Sequence, residues 1–250
     1  MHSIFRQFRA PDWIRGAPSG WGLLLGVLIL FSIISSCLVV GRVIVTANLK
    51  FLFLPGNLVL AWIPLFLAGG LWRLHVKSRQ RTWPFAIGLL LWLCFLPNAP
   101  YLVTDLIHLR PRPPIPLWMD LMIFVSFLWL GVVLGFFSLY LIQRVAAERF
   151  GFLSGWLFVC VAIVLTALGI YIGRFLRWNS WDMMIRPVSL AVDLFGTFRH
   201  PRANPQPYVY TLLYSQLLLL FYASLYSLTK FRSDREKILP ALPACFSSEL

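Results

Sequence analysis

Residues 117–143 read LWMDLMIFVSFLWLGVVLGFFSLYLIQ, an apolar run in which Asp120 is the only charged residue. A helix that crosses the hydrocarbon core of a bilayer needs about 20 predominantly apolar residues. In lipid, an open strand edge would leave backbone groups unpaired, so a single apolar run of this length predicts a transmembrane helix. This stretch indicates the fold class, and other apolar runs lie on both sides of it in the sequence.

Working outward from this stretch, the apolar runs predict six spans, at residues 21–45, 58–72, 84–109, 117–143, 152–176 and 208–228. The second run is the shortest, and residues 51–54 are expected to extend it at the interface. The whole chain is 59% hydrophobic and 12% charged, whereas soluble domains are about a quarter charged. We therefore predict an all-α polytopic transmembrane bundle, with residues 1–230 forming one domain and residues 231–250 a short cytoplasmic tail.

The positive charge of the chain, +13 in total, is spread over the short segments between the predicted spans. Thirteen of the 22 Lys and Arg residues fall on the side that holds both termini, and nine fall on the other. Cytoplasmic loops carry an excess of Lys and Arg, so both termini are predicted to be cytoplasmic. The partner that this pattern indicates is the lipid bilayer, and no basic–aromatic patch outside the spans indicates nucleic acid.

The connection at residues 177–207 is long and contains an apolar stretch that is too short to span. Pro187 suits a first helical turn, and apolar residues follow it up to Phe198. We expect a helix here between the fifth and sixth spans. It either lies in the outer membrane interface as an amphipathic helix or packs on the bundle as a loop helix.

Cys37 ends the sequence ISSC, which resembles a lipoprotein cleavage box behind a basic, apolar leader. The apolar run continues past it through Val40, whereas signal h-regions are short, so we expect the first span to be retained. The four cysteines show neither metal-ligand nor redox spacing, and no metal site is predicted. The sequence indicates no particular cofactor.

Polar residues gather at the outer end of the third predicted span. Asn98, Tyr101, Asp105 and His108 are spaced 3, 4 and 3 residues apart, within an arc of about 80° on one helix face. Ionisable groups in membrane helices usually face the bundle interior or a water-filled cavity. Prolines on both sides of Asn98 predict a kink, and Asn98 is either part of a site or a repair of that kink.

A second group follows the fifth span, and with the first it completes the candidate ligand-binding set: Asn98, Tyr101, Asp105, His108, Asp120, Arg174, Arg177, Asn179 and Asp182. Asn179 and Asp182 also have the spacing of a helix cap. Asp120 also suits the first turn of a helix, where the macrodipole stabilises it. Arg174 lies one turn inside its span, where it must either extend its side chain to the interface or pair with a carboxylate. Asp105 and Asp120 are the candidates, and we predict that Asp105 is the partner.

Two blocks of the sequence resemble a family of bacterial membrane proteins catalogued as domain of unknown function 1361. They are LPNAPYLVTDLIHL at residues 96–109 and GIYIGRFLRWNSWD at residues 169–182, and Trp118-Met119-Asp120 fits as well. The resemblance extends from about Asn57 to Leu228. It implies a multi-pass protein of the bacterial inner membrane, and it supplies no activity.

Three functions are compatible with these features. The first is an outward-facing polar site that binds an anionic lipid headgroup or a phosphorylated ligand, clamped by Arg174 and Arg177. The second is a structural or accessory subunit whose polar cluster locks helices together. The third is a small-solute transporter, although its polar groups would be expected near the midplane. Phosphate-loop, dinucleotide and zinc-protease motifs do not occur in the sequence, which leaves open whether the protein is an enzyme.

Overall fold

The structure, a computed structural model, describes residues 21–77, 82–179 and 182–238. This part of the chain is helical and contains no β-strand. Its α-helices are α1 (Trp21–Thr46), α2 (Phe53–Lys77), α3 (Thr82–Phe95), α4 (Asn98–Thr104), α5 (Leu117–Phe150), α6 (Phe152–Phe175), α7 (Asp182–Ile185), α8 (Pro187–Phe198) and α9 (Gln206–Ile238). Single 3-10 turns, Leu49–Leu52 and Asp105–His108, precede α2 and follow α4.

Six stretches of the described chain are long and apolar enough to cross a membrane, as predicted: Gly22–Thr46, Leu49–Val76, Trp83–His108, Leu117–Phe150, Phe152–Phe175 and Gln206–Thr229. The second is much longer than residues 58–72, because Pro55 lies in the first helical turn, where a missing N–H costs nothing. The fourth continues past residue 143 because Arg144 is buried among other side chains.

Helix α5 lies at the centre of the bundle, in contact with α1, α2, α4 and α6. Of its most apolar 18-residue window, 61% is buried, compared with 17% for the first and last spans. Helix α9 packs against α6, and α1 packs against α5 and α2. The first and last spans are therefore peripheral, and most of their apolar surface remains for the bilayer to cover.

The third span is broken in two between Phe95 and Asn98, as the prolines predict. Glycines on two neighbouring helices let the broken segment pack closely. A Cβ atom on Gly131 of α5 would lie 2.3 Å from the carbonyl oxygen of Ala99, and one on Gly169 of α6 would lie 2.6 Å from Pro97. Helix α4 is thus held tightly between α5 and α6.

The structure near the two ends of the chain bears on two predictions, the retention of the first span and the start of the tail at residue 231. Helix α1 is continuous across Cys37, and residues 1–20 lie outside the described residues. Helix α9 continues to Ile238, beyond residue 230 where we placed the start of the tail, although its apolar span ends at Thr229. Residues 239–250 of the predicted tail also lie outside the described part.

The connection between the fifth and sixth spans contains the expected helix, α8. Leu190 is buried against the bundle, and the indole Nε1 of Trp178 donates to Asp193 Oδ2 at 3.0 Å. The opposite side of α8 is apolar and exposed, with Val188, Val192 and Phe195 all more than 60% accessible. The helix therefore both packs on the bundle and presents an apolar face outward.

Candidate functional site

Asp105 is the centre of the polar cluster at the end of the third span. Its side chain is 1% exposed. Oδ1 accepts from Arg174 Nη2 at 2.6 Å, and Oδ2 accepts from the amide of Asn57 at 2.9 Å. The carboxylate therefore joins the third span to α6 through Arg174 and to α2 through Asn57. A buried carboxylate is tolerated only with such partners.

The guanidinium of Arg174 is almost fully engaged. Nε and Nη2 donate to Thr104 Oγ1 at 3.0 and 2.5 Å, and Nη1 lies 3.0 Å from His108 Nε2. Because a guanidinium has donors only, this ring nitrogen accepts, and His108 is a neutral imidazole with its proton on Nδ1. The guanidinium carbon also lies 4.3 Å from the centroid of the Tyr101 ring.

The predicted pairing of Asp105 with Arg174 is therefore confirmed. Three of the four residues predicted to share a helix face, Tyr101, Asp105 and His108, contact this arginine. Thr104 lies between them along the chain, and its hydroxyl donates to the carbonyl of Tyr101 at 2.7 Å. After the break at the prolines the helix begins again at Asn98. This helix and the 3-10 turn that follows it supply the four residues that contact Arg174 of α6: Tyr101, Thr104, Asp105 and His108.

Asp120 does not belong to this cluster. Its carboxylate, 0% exposed, accepts from Arg42 of α1, with Nε to Oδ1 at 2.9 Å and Nη2 to Oδ2 at 3.0 Å. Arg42 also donates to Thr46 Oγ1 at 2.8 Å and lies over the ring of Phe51. The helix-dipole interpretation is incomplete, because Asp120 has a direct cationic partner, Arg42 of the first span, that sequence reasoning did not identify.

The residues after the fifth span serve partly to shape its end. Trp178 N donates to Ile172 O at 3.4 Å, and Arg177 has φ 59°. This is the left-handed residue that ends many helices and that is usually glycine. Asn179 N donates to Asp182 Oδ2 at 2.8 Å, which is one half of the predicted cap. The Arg177 and Asn179 side chains are exposed.

A cavity of about 370 Å³ lies beside the cluster. Asn57, Asn98, Tyr101 and Asn179 provide its polar side chains. Most of its remaining wall is apolar and comes from leucines of α2, α3, α6 and α8: Leu60, Leu90, Leu93, Leu165, Leu168, Leu190 and Leu194. Tyr101 belongs to both the cavity wall and the Arg174 cluster, so the ion pair lies directly behind the cavity.

Sequence reasoning missed a second polar cluster at the opposite end of the bundle. His75, 5% exposed, lies 3.0 Å from Glu148 Oε2 through Nε2 and accepts from Arg149 Nε at 3.1 Å through Nδ1. Arg144 is buried nearby over the ring of Trp72. The basic residues of this cluster had been assigned to loops. The available signal was the i, i+4 and i+5 spacing of Arg144, Glu148 and Arg149 at the end of α5.

Thr104 and Asn57 were not among the predicted site residues, and both bind the central pair directly. Arg112, also not chosen, donates through Nη2 to the carbonyl of His108 at 3.3 Å. Among the described residues, no group of three or more His, Cys, Asp or Glu side chains is placed to hold a metal ion.

Helical spans with charged side chains buried between them define a multi-pass membrane protein. The family model described as "Protein of unknown function (DUF1361)" matches residues 57–221, and the chain belongs to that family. No curated protein and no solved structure matches the chain.

Proposed function

We propose that the protein binds the phosphorylated headgroup of an anionic lipid, or a soluble ligand with the same phosphate chemistry, at the Asp105 end of the bundle. The observation that carries the proposal is the cavity wall. Asn57, Asn98, Tyr101 and Asn179 supply amide and phenol hydrogen-bonding groups at one end of an otherwise apolar cavity. A few placed polar groups in a largely apolar pocket are typical of small-molecule sites.

Charge at this end favours an anion. Arg174 is balanced by Asp105, and Arg42 is balanced by Asp120. Arg112, half-buried beside His108, and the exposed Arg177 then contribute positive charge beyond these two pairs. The Asp105–Arg174 pair acts as a positioning unit, since Asp105 holds Asn57 in the cavity wall and Arg174 holds Tyr101.

One observation favours the accessory-subunit alternative. Both oxygens of Asp105 are occupied by protein donors, and each of the three guanidinium nitrogens of Arg174 has a protein acceptor. A network so fully satisfied is what a purely structural lock between three helices requires. In that case the cavity beside it would bind no phosphate.

Two measurements on the purified protein in nanodiscs of phosphatidylcholine separate these functions: thermal unfolding, and titration with glycerol phosphate as the soluble probe. For a binding site, the wild-type protein binds glycerol phosphate, and Asp105→Asn weakens that binding at least tenfold because the carboxylate no longer holds Asn57 and Arg174 in place. Glu148→Gln, the same acid-to-amide change at the opposite end, leaves binding unchanged.

For a lock, Asp105→Asn lowers the melting temperature, and the double swap Asp105→Arg with Arg174→Asp partly restores it. Absence of glycerol phosphate binding by the wild-type protein would contradict the proposed site. Saturable binding that survives Asp105→Asn would assign the phosphate to another place on the protein.

We also propose an orientation of the protein in the membrane and a cellular location. We infer that the Asp105 end faces the extracytoplasmic side of a bacterial inner membrane, with both termini and the tail at residues 231–250 in the cytoplasm. The support is the excess of Lys and Arg on the other side. An alkaline phosphatase fusion joined after residue 237 should be inactive, and one inserted at residue 201 should be active. The reverse pattern would show that the Asp105 end faces the cytoplasm.

Helix α8 fits the same orientation as an interfacial element. Its exposed apolar face, which includes Val188, Val192 and Phe195, is bounded by Arg186 and Arg199. Such a face suits the boundary between headgroups and acyl chains. A spin label at residue 192 should therefore be broadened more by oxygen, which partitions into lipid, than by a water-soluble nickel chelate. The opposite ranking would place α8 in water.

A further inference from the structure

The apolar part of the cavity described above offers no favourable contact to a soluble phosphate. Leu60, Leu93 and Leu168 line it, and two further lining residues, Leu90 and Leu165, are 63% and 40% exposed on the surface of the bundle. A residue that lines a cavity and is also exposed marks where the cavity opens. The cavity therefore opens on the flank of the spans, between α3 and α6, and also at the loop end, where the lining residue Asn179 is exposed.

The depth of the cavity identifies what it opens to. Leu165 precedes the end of α6 at Phe175 by ten residues, which is about 15 Å at the rise of an α-helix. The hydrocarbon core of a bilayer is about 30 Å thick. The cavity thus extends from the polar groups at one end of the spans to near the middle of the membrane, where the flank of the bundle meets acyl chains.

We propose that this cavity is a lateral groove for the hydrocarbon chain of a membrane lipid, with the headgroup at Asn57, Asn98, Tyr101 and Asn179. This inference rests on the proposed function and names its ligand as an amphiphile that enters from the bilayer. A volume of about 370 Å³ lies within the range of about 300–1,000 Å³ found for ligand pockets. Asn57, Tyr101 and Asn179 lie toward the loop end of the cavity, and Leu90, Leu93 and Leu165 line its deeper part, an arrangement that matches the two parts of a phospholipid.

The experiment uses full-length protein in phosphatidylcholine nanodiscs that contain a few per cent of phosphatidylglycerol with a diazirine at the middle of one acyl chain. Illumination followed by peptide mapping should place crosslinks on the groove wall, at Leu93, Cys94 or Leu168. Excess unlabelled phosphatidylglycerol should remove these crosslinks. Crosslinks at Leu157, which is 66% exposed and outside the cavity, should persist because they report the surrounding bilayer.

A groove-filling variant and a matched control complete the test. Leu168→Trp should reduce wall crosslinking at least tenfold, since the tryptophan fills part of the cavity. Leu157→Trp makes the same change on the outer surface of α6 and should alter neither wall crosslinking nor glycerol phosphate binding.

The outcomes separate the two proposals. Glycerol phosphate binding without crosslinks on the groove wall would overturn the lipid groove and leave the proposed function intact. Equal wall crosslinking by a phosphatidylcholine that carries the same diazirine would support a chain groove and contradict the anionic headgroup. If neither glycerol phosphate binding nor wall crosslinking occurs, both proposals are wrong.

Discussion

Arg42 on α1 and Asp120 on α5 form a two-contact ion pair, with nitrogen–oxygen distances of 2.9 and 3.0 Å. The two side chains are 4% and 0% exposed. Helix α1 is otherwise a peripheral span, with 17% of its apolar window buried. The pair is therefore a specific attachment that fixes both the rotation and the depth of α1 against the central helix.

Breaking this pair from one side should be costly. Asp120→Ala leaves the guanidinium of Arg42 buried and unbalanced, and loss of one partner of a buried pair costs about 3–5 kcal/mol. Tryptophan fluorescence should therefore show a markedly lower melting temperature. The double variant Arg42→Met with Asp120→Leu removes both charges and should recover most of the loss. An unchanged melting temperature for Asp120→Ala would mean that the pair contributes no stability.

A second prediction concerns the close contact beneath the candidate site. In Gly131→Ala the new methyl group would meet the backbone of Ala99 at 2.3 Å, so α4 must move. Overpacking of this kind costs about 1–3 kcal/mol, and glycerol phosphate binding should weaken because Tyr101 shifts with α4. Gly70→Ala on α2, where nothing lies within 4 Å, should instead raise stability by about 0.5–1 kcal/mol. Equal stability of the two variants would contradict the close packing of α4.

Arg177 allows stability and binding to be separated. Its φ of 59° is unfavourable for any residue with a Cβ atom. Arg177→Gly should therefore raise the free energy of unfolding by about 0.5–1 kcal/mol while weakening glycerol phosphate binding. Arg177→Lys keeps both the charge and the strained backbone and should leave stability unchanged. If Arg177→Gly binds as tightly as wild type, Arg177 is only the end of a helix.

Ser138 provides a fourth test, in the core of the bundle. Its hydroxyl accepts from Trp92 Nε1 at 2.6 Å and donates to the carbonyl of Pro64 at 2.9 Å, joining three spans. Ser138→Ala leaves the indole N–H without this acceptor, and a buried unsatisfied donor costs about 1–3 kcal/mol. Ser154→Ala, at a partly exposed serine at the start of α6, should stay within about 0.5 kcal/mol of wild type. Chemical unfolding in mixed micelles measures both.

The sequence was sufficient where the free-energy cost of placing a group in lipid alone determines the structure. Apolar length predicts the six spans, and the expense of a charge in lipid predicts that Arg174 must have a carboxylate at its own depth. The partner of Asp120 was missed because Arg42 lies in a different span, 78 residues away, and nothing in the two sequences indicates which helix faces meet. Only the packing of α1 against α5 shows that Arg42 is inside.

The cavity and the second polar cluster could not be predicted for a different reason. Both depend on how helices are placed side by side. Leu60, Leu93 and Leu168 are apolar residues in three separate spans, and nothing in their own spacing indicates a shared wall. Similarly, His75 and Glu148 are 73 residues apart. Each looks like an ordinary polar residue at the end of its own helix.

The two buried ion pairs also differ in what happens while the chain is being made. Arg42 precedes Asp120 by 78 residues, and Asp105 precedes Arg174 by 69. At about 5–20 residues per second, each first member waits several seconds before its partner is synthesised. A carboxylate can take up a proton during that interval, so Asp105 can enter lipid uncharged. A guanidinium cannot be deprotonated in proteins, so Arg42 must stay near water until α5 arrives. The first span therefore reaches its final depth only after α5, which ends at Phe150, has been synthesised.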